Sequence, residues 1–234
     1  MIDLQQHPLA NGARVTISRN GRHQYWVGED GPKMKSVTGL LRHIDGDTFG
    51  IGVNWALKKA REDGGNLDAP KQFTKESLQV GNHLHQAIDD YITHGTINED
   101  DLLWMAWYHT IGQQTEFLAS ERFLYHPVLA YGGTVDAISL SDDGEVGVHD
   151  WKSVATQSWL RYGATLRLNK DTAQLGAYAN ALKSMGSVWE PSRGYITYVM
   201  RDGSGAETIE VDLERGFKLF QASRDLYLLT QGGG

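Results

Sequence analysis

Asp136, Asp150 and Lys152 are the residues of this 234-residue chain whose types and spacing could do chemistry together. Thr134, Asp136, Ile138 and Leu140 alternate with Val135, Ala137 and Ser139, and Val146, Val148, Asp150 and Lys152 resume the period-2 pattern after a turn. Between the two runs, Asp142-Asp143-Gly144 suits a three-residue hairpin loop with glycine in the left-handed last position. Such a loop sets Ser141 opposite Glu145, and counting back sets Asp136 opposite Asp150. Facing side chains on paired strands lie about 4.5–5.5 Å apart at Cβ. Two carboxylates held that close repel unless one is protonated or a cation lies between them. Lys152 projects from the same face as Asp150. Two acids and a lysine on one patch suit a site that binds a divalent metal and activates a water. A surface hairpin with scattered charges is the competing account. Both acids sit within apolar strand patterns rather than in the turn, which favours the site.

Composition narrows what surrounds that patch. Hydrophobic residues make up 40% of the chain and charged ones 22%, ordinary values for a globular protein long enough to bury a sizeable core. The absence of cysteine excludes disulfides, thiolate catalysis and zinc–thiolate sites. No apolar run approaches the roughly 20 residues that span a bilayer. The N-terminal MIDLQQHPLANG lacks signal-peptide character, so a cytoplasmic location is the expectation. The net charge of −7 argues on its face against a nucleic-acid binder, although distribution matters more than the sum.

The elements that must position the patch follow in order. Residues 14–18 and 24–27, joined by a polar turn at Arg19–His23, read as a small hairpin. After Gly31-Pro32, Ser36 or Thr38 suits the cap of a short helix. The Arg14–His43 segment holds six Lys or Arg against Glu29 and Asp30, so a helix N-terminus there could hold a phosphate; capping and solvation are the plainer account. Helices are expected over 50–62, over 74–93 with Gly81, Leu84, His85, Ile88 and Ile92 on its inward stripe, and over 98–121. In the last of these, Trp104, Trp107 and Tyr108 read as core rather than as a base-stacking platform. Residues 153–170 carry Arg161, Arg167 and Lys170 with Trp159 and Tyr162 and no acid, a composition suited to a strand of nucleic acid or to a solvated loop. A helix over 171–184 places Gln174 and Tyr178 on one face. Strands at 194–200 and 206–211 and a helix over 212–230 complete a mixed sheet flanked by helices.

Taken together, Gly81-x-x-x-His85, Glu121, GGTVDAI with Asp136, HDWKS with Asp150 and Lys152, and Gln174-x-x-x-Tyr178 resemble, in order and spacing, the PD-(D/E)XK nuclease superfamily and its RecB-like exonuclease branch. SVT at Ser36–Thr38 and the trailing YITYVMRDG look most like the mitochondrial genome-maintenance exonucleases and their phage and bacterial relatives. The resemblance covers about residues 30 to 230. Val135 replaces the motif proline, and Asp150 stands where glutamate is common; both variants occur in the branch. The resemblance implies an α/β restriction-endonuclease-like core over about 121–230, preceded over about 1–120 by a β-hairpin and helical extension, in one nuclease domain. It further implies that His85, Asp136, Asp150 and the Trp151 backbone carbonyl bind Mg²⁺ or Mn²⁺, that Lys152 orients a water, and that Glu121 supports a second metal or the outer shell. Gln174 and Tyr178 would hold the substrate strand or brace the site, and Ser36, Thr38, Arg161 and Arg167 would meet the DNA, single-stranded or with a free end, in replication, recombination or repair. Whether the chain acts alone or beside a recombinase, helicase or single-strand-binding protein stays open. A non-catalytic DNA-end-binding module and a two-carboxylate glycosidase using Asp136 and Asp150 are the alternatives.

Overall fold

The computed structural model describes residues 2–28, 30–43, 51–155 and 164–231. Two sheets carry the architecture. The N-terminal one is antiparallel, with β1 (Ile2–Pro8), β2 (Arg14–Asn20) and β3 (Tyr25–Val27) in that order. The expected hairpin is therefore the outer part of a three-stranded sheet. Its first strand, IDLQQHP, escapes a pattern reading because Ile2 and Leu4 are exposed while His7 is buried.

The second sheet is mixed and lies between helices. Its strands are β4 (Lys35–Ser36), β5 (Glu116–His126), β6 (Tyr131–Leu140), β7 (Val146–Val154), β8 (Arg193–Met200) and β9 (Ala206–Val211). The β5–β6, β6–β7 and β8–β9 pairs are antiparallel, and β7–β8 is parallel. The helices are α1 (Val37–Leu40), α2 (Ile51–Glu62), α3 (Ala69–His94), α4 (Leu102–Thr110), α5 (Ala164–Ser184) and α6 (Leu213–Gln231). No helix among the described residues is long and apolar enough to cross a membrane.

Strand alternation gives the sheet an apolar cluster on each face. On one face Trp151 of β7 and Val199 of β8 pack with Leu84 and Ile88 of α3 and with Trp104 and Trp107 of α4. On the other, Ile138, Val148 and Ile196 pack with Leu175 and Leu182 of α5 and Phe220 of α6. Trp104 and Trp107 are fully buried, as core residues should be, and truncating either to alanine would cost about 3–5 kcal/mol. Local chemistry fixes the helices of the first face. Pro70 lies in the opening turn of α3, left-handed Gly95 ends that helix, and the Asp101 side chain caps α4 by accepting from the backbone N–H of Leu103 and Trp104.

Three boundaries depart from the sequence pattern. The helix expected over 98–121 ends at Thr110, and Glu116–His126 is a strand, because Phe117 and its neighbours pack against the sheet while the strand's backbone pairs with the free edge of β6. The helix expected from residue 74 begins at Ala69. The basic, acid-free stretch at 153–170 is not one long loop: 153–154 belong to β7, and α5 begins at Ala164, which places Arg167 and Lys170 on a helix. Arg161, Trp159 and Tyr162 lie outside the described residues.

Candidate metal centre and its cleft

The centre of the molecule is a gap in the β6 ladder. The β6–β7 hairpin closes as its loop requires: Ser141 N–H donates to the Glu145 carbonyl at 2.9 Å, Gly144 has φ of +82°, and the ladder runs from Leu140–Val146 to Ala137–His149. One step further, where counting sets Asp136 against Asp150, the two strands part. On that edge β6 is next paired at Gly132 and Tyr131, with Ser36 and Lys35 of β4. Among the described residues, therefore, no strand pairs with 133–136 on that side. Asp136 does not face Asp150 across a ladder; its Oδ2 accepts the Trp151 backbone N–H at 2.7 Å.

Two other elements bring side chains to Asp136. His85, on the same α3 stripe as Leu84 and Ile88, places Nδ1 3.6 Å from Glu121 Oε1 and 3.7 Å from Asp136 Oδ2. Its Nε2 lies 3.0 Å from the Trp151 carbonyl oxygen. Glu121 would pair with Asp136 in the β5–β6 register, yet its own backbone is left-handed at φ +47°, rare for a residue with a side chain. Gln5 of β1 braces this kink with both ends of its amide: Nε2 donates to the Glu121 carbonyl at 3.0 Å, and Oε1 accepts from Phe123 N–H at 2.6 Å. One donor atom each from His85, Glu121 and Asp136 lies within 4.8 Å of the others, a separation one metal ion can bridge.

Asp150 and Lys152 form a second, deeper layer. Lys152 Nζ lies 2.8 Å from Asp150 Oδ1 and 2.6 Å from Oδ2, and Gln174 Nε2 also donates to Oδ1 at 2.8 Å. Despite its proximity to Nζ, buried Oδ2 accepts no well-directed hydrogen bond. Gln174 in turn donates to the Tyr178 hydroxyl at 3.1 Å. The Tyr178 ring closes against β6 where Gly133 makes room; a Cβ there would stand 2.5 Å from a ring carbon. Asp171, at the head of the same helix face, accepts from Tyr198 at 2.9 Å and adds negative charge to Asp150 and Lys152. The 153–170 stretch in which acids are missing ends one residue before it.

The electrostatics are those of crowded acids short of positive charge. Burial pushes Asp136 above the ordinary carboxylate range, and Glu121 adds to the push against His85 and Lys152. Burial likewise raises Asp150, with Asp136 and Asp171 working against the help of Lys152. Burial opposes the charge on His85, yet Asp136 and Glu121 raise its pKa to about 9. With His85 neutral, as a ligand must be, Glu121, Asp136 and Asp150 against Lys152 leave two negative charges, the amount one divalent cation neutralises. Carboxylate oxygens with one imidazole are a donor set suited to Mg²⁺ or Mn²⁺.

The triad opens into a cleft of about 850 Å³. Ser36, Thr38, Arg167, Tyr178, Lys152 and Trp151 line it, whereas Asp150 and Gln174 stand behind it. The Ser36 hydroxyl accepts from Gly39 N–H at 3.1 Å and so caps α1, a helix of only four residues. Lys35 points to the Tyr227 ring instead of the cleft. Gln5 and Asp89 line the cleft without a motif to mark them, and Arg201 falls in the YITYVMRDG stretch, which gave it no role. Arg201 sits in the Asp202-Gly203 turn region after β8, and its spacing from Trp151–Ser153 becomes visible only once β7 and β8 are known to be parallel.

No family model and no curated protein sequence matches this chain. Among solved structures, it is similar to a protein designated SSO0001, at 15% identity over 85% of this chain and 78% of that one, with a TM-score of 0.40. It is also similar to LHK-Exo in complex with dAMP, at 8% identity over 85% of this chain and 88% of that one, with a TM-score of 0.39. Likeness at this level leaves the geometry of the site as the ground for a functional reading.

Proposed function

We propose that this protein is a DNA exonuclease that hydrolyses phosphodiester bonds with Mg²⁺ or Mn²⁺. The observation that carries the reading is the His85–Glu121–Asp136 triad, set beside an ammonium group in a cleft with arginines on its walls. His85, Asp136 and Glu121 would hold the cation, with the Trp151 carbonyl and Asp150 Oδ2 as further oxygen donors. When bound, the cation lowers the pKa of a water and neutralises charge on the scissile phosphate. Lys152 keeps an N–H to direct at the attacking water or at a phosphoryl oxygen, because Asp150 anchors the side chain without exhausting its three donors. Gln174 and Tyr178 hold Asp150 in place from α5. Ser36, Thr38, Arg167 and Arg161 are assigned to the substrate strand, and a single-stranded end is the substrate this reading takes. The glycosidase reading is disfavoured because Asp150 lies behind the cleft wall, ion-paired to Lys152.

The test is end-labelled single-stranded DNA with Mg²⁺ or Mn²⁺, with and without a chelator. Linear strands, closed single-stranded circles and linear duplex are compared at equal nucleotide concentration. Chelator-sensitive degradation of the linear strand alone is the expected result. Rapid nicking of circles would remove the end requirement, and no cleavage of any substrate would leave the non-catalytic binding module.

A further inference from the structure

The cations on the cleft walls differ in their partners. Lys152 is ion-paired with Asp150, Arg19 with Asp3 at 3.2 Å, and Arg167 with Asp171 at 3.5 Å. Arg201, half-buried beside them, meets only neutral oxygens. Its guanidinium donates to Ser77 Oγ at 2.7 Å, to the Ser153 carbonyl at 3.3 Å and to Ser153 Oγ at 3.4 Å. Among the described residues no carboxylate lies within ion-pair distance of it. Burial and the charge of Arg167 both work against its protonated form. A guanidinium taken partly out of water without a counter-ion is a standing expense in free energy, and an anion would relieve it.

The surroundings suit an anion with several oxygens. Each serine hydroxyl that accepts from Arg201 keeps its own O–H to donate, so guanidinium and hydroxyl donors converge with no fixed negative charge among them. Arg201, Ser77 and Ser153 all line the cleft. Ser77 and His85 face it from the same helix and lie eight residues apart in α3, or about 12 Å along its axis. That separation is too long for one phosphate to meet both.

We propose that Arg201, with Ser77 and Ser153, is a phosphate subsite that grips the backbone of a single DNA strand away from the scissile bond. The ligand class rests on the proposed nuclease reading; the converging donors do not.

The experiment measures binding of a fluorescent oligothymidylate to the full chain in a chelating buffer, where hydrolysis does not occur, across a series of salt concentrations. Arg201→Gln should weaken binding about tenfold, the effect of one charge-assisted contact. It should also lower the slope of log K against log salt by about 0.7, one phosphate's share for a single strand. Ser77→Asp supplies a carboxylate in the anion's place, so it should lose binding to the same degree while the melting temperature holds or rises. That variant decides the matter even if Arg201→Gln folds poorly. Wild-type affinity in Ser77→Asp, with the wild type binding normally, would overturn the subsite alone. A wild type that binds no oligonucleotide at low salt would overturn the nuclease reading and the subsite with it.

Discussion

At its loop end the β6–β7 hairpin carries Asp143 and Glu145 in solvent, both paired with Arg193; at its splayed end it carries Asp136 and Asp150 in the interior. The same residue type behaves in opposite ways at the two ends. The Ser141 hydroxyl and then Arg193 hold Asp143 below the ordinary carboxylate range, while burial lifts Asp136 and Asp150 above it. Exposed ion pairs of the first kind add little to stability and ask nothing of the fold. Interior acids of the second kind persist only where the surrounding structure holds them, and here the parting of two strands makes the space. The metal-capable end is thus marked by acids out of balance with their counter-charges, rather than by the number of acids.

The largest expected contrast is in activity. Asp136→Asn should reduce DNA hydrolysis by about three orders of magnitude or more, whereas Asp143→Asn should leave it at the wild-type rate. Melting of the metal-free protein should hold or rise in Asp136→Asn, since the amide oxygen can still accept from Trp151 N–H and one of the crowded charges is gone. Equal loss of activity in both variants would dissolve the distinction between the ends.

Next comes stability within the splayed end itself. Lys152 and Asp150 are both largely buried, with side-chain exposures of 17% and 1%. Asp150→Asn therefore leaves an ammonium group without its partner and should destabilise the metal-free protein by about 3–5 kcal/mol, read by denaturant unfolding. Asp136→Asn should not. Similar unfolding midpoints for the two would show that Lys152 does not depend on Asp150.

A smaller effect should come from outside the acidic patch. Gln5→Ala releases the left-handed backbone of Glu121 and should weaken Mn²⁺ binding about 10- to 100-fold, the range for groups that orient a ligand. Calorimetric titration of Mn²⁺ reads this without reference to catalysis. In a Glu121→Ala background the same change should have no further effect.

A last contrast is with pH. Fully buried His149, stacked on Tyr195 at 5.0 Å, has its pKa lowered by burial to about 3 from an ordinary 6.5. Above pH 6.5 it is neutral in both states and contributes no pH dependence. Below that, the unfolded chain takes up a proton the folded one refuses, so stability falls by about 1.4 kcal/mol per pH unit down to about pH 3. His7, lowered to about 4 by burial and Arg122, acts in the same direction, while Asp150 acts in the other. The difference between wild type and His149→Gln across pH 4–7 isolates the histidine, and parallel curves would show that it is protonated in the fold.

What could be read from the sequence was local. The loop that closes β6 on β7, the pairing of Gln174 with Tyr178 one helical turn apart, and the burial of Trp104 and Trp107 all follow from neighbours within a few residues. The approach of His85, Glu121 and Asp136 was legible only through motif order. The helix boundary at Thr110 was not legible, because LLWMAWYHT is apolar on every side and carries no period to show where it should stop. Nor were the contacts of Gln5 with Glu121 and of Arg201 with Ser77, which span 116 and 124 residues along the chain. Contacts of that span leave no trace in spacing; they exist only because two sheets and a helix come together.

The grip of Gln5 on Glu121 means that the acidic triad is not the private property of the α/β core. A strand at the very start of the chain, outside the mixed sheet and free of any motif, holds one of the three donors in its unusual backbone state. Trimming by a protease, a bulky fusion, or a binding protein that peels β1 from β2 would leave both apolar clusters intact and still unseat one of the three donors. The N-terminal strand thus acts on the donor geometry from outside the cleft.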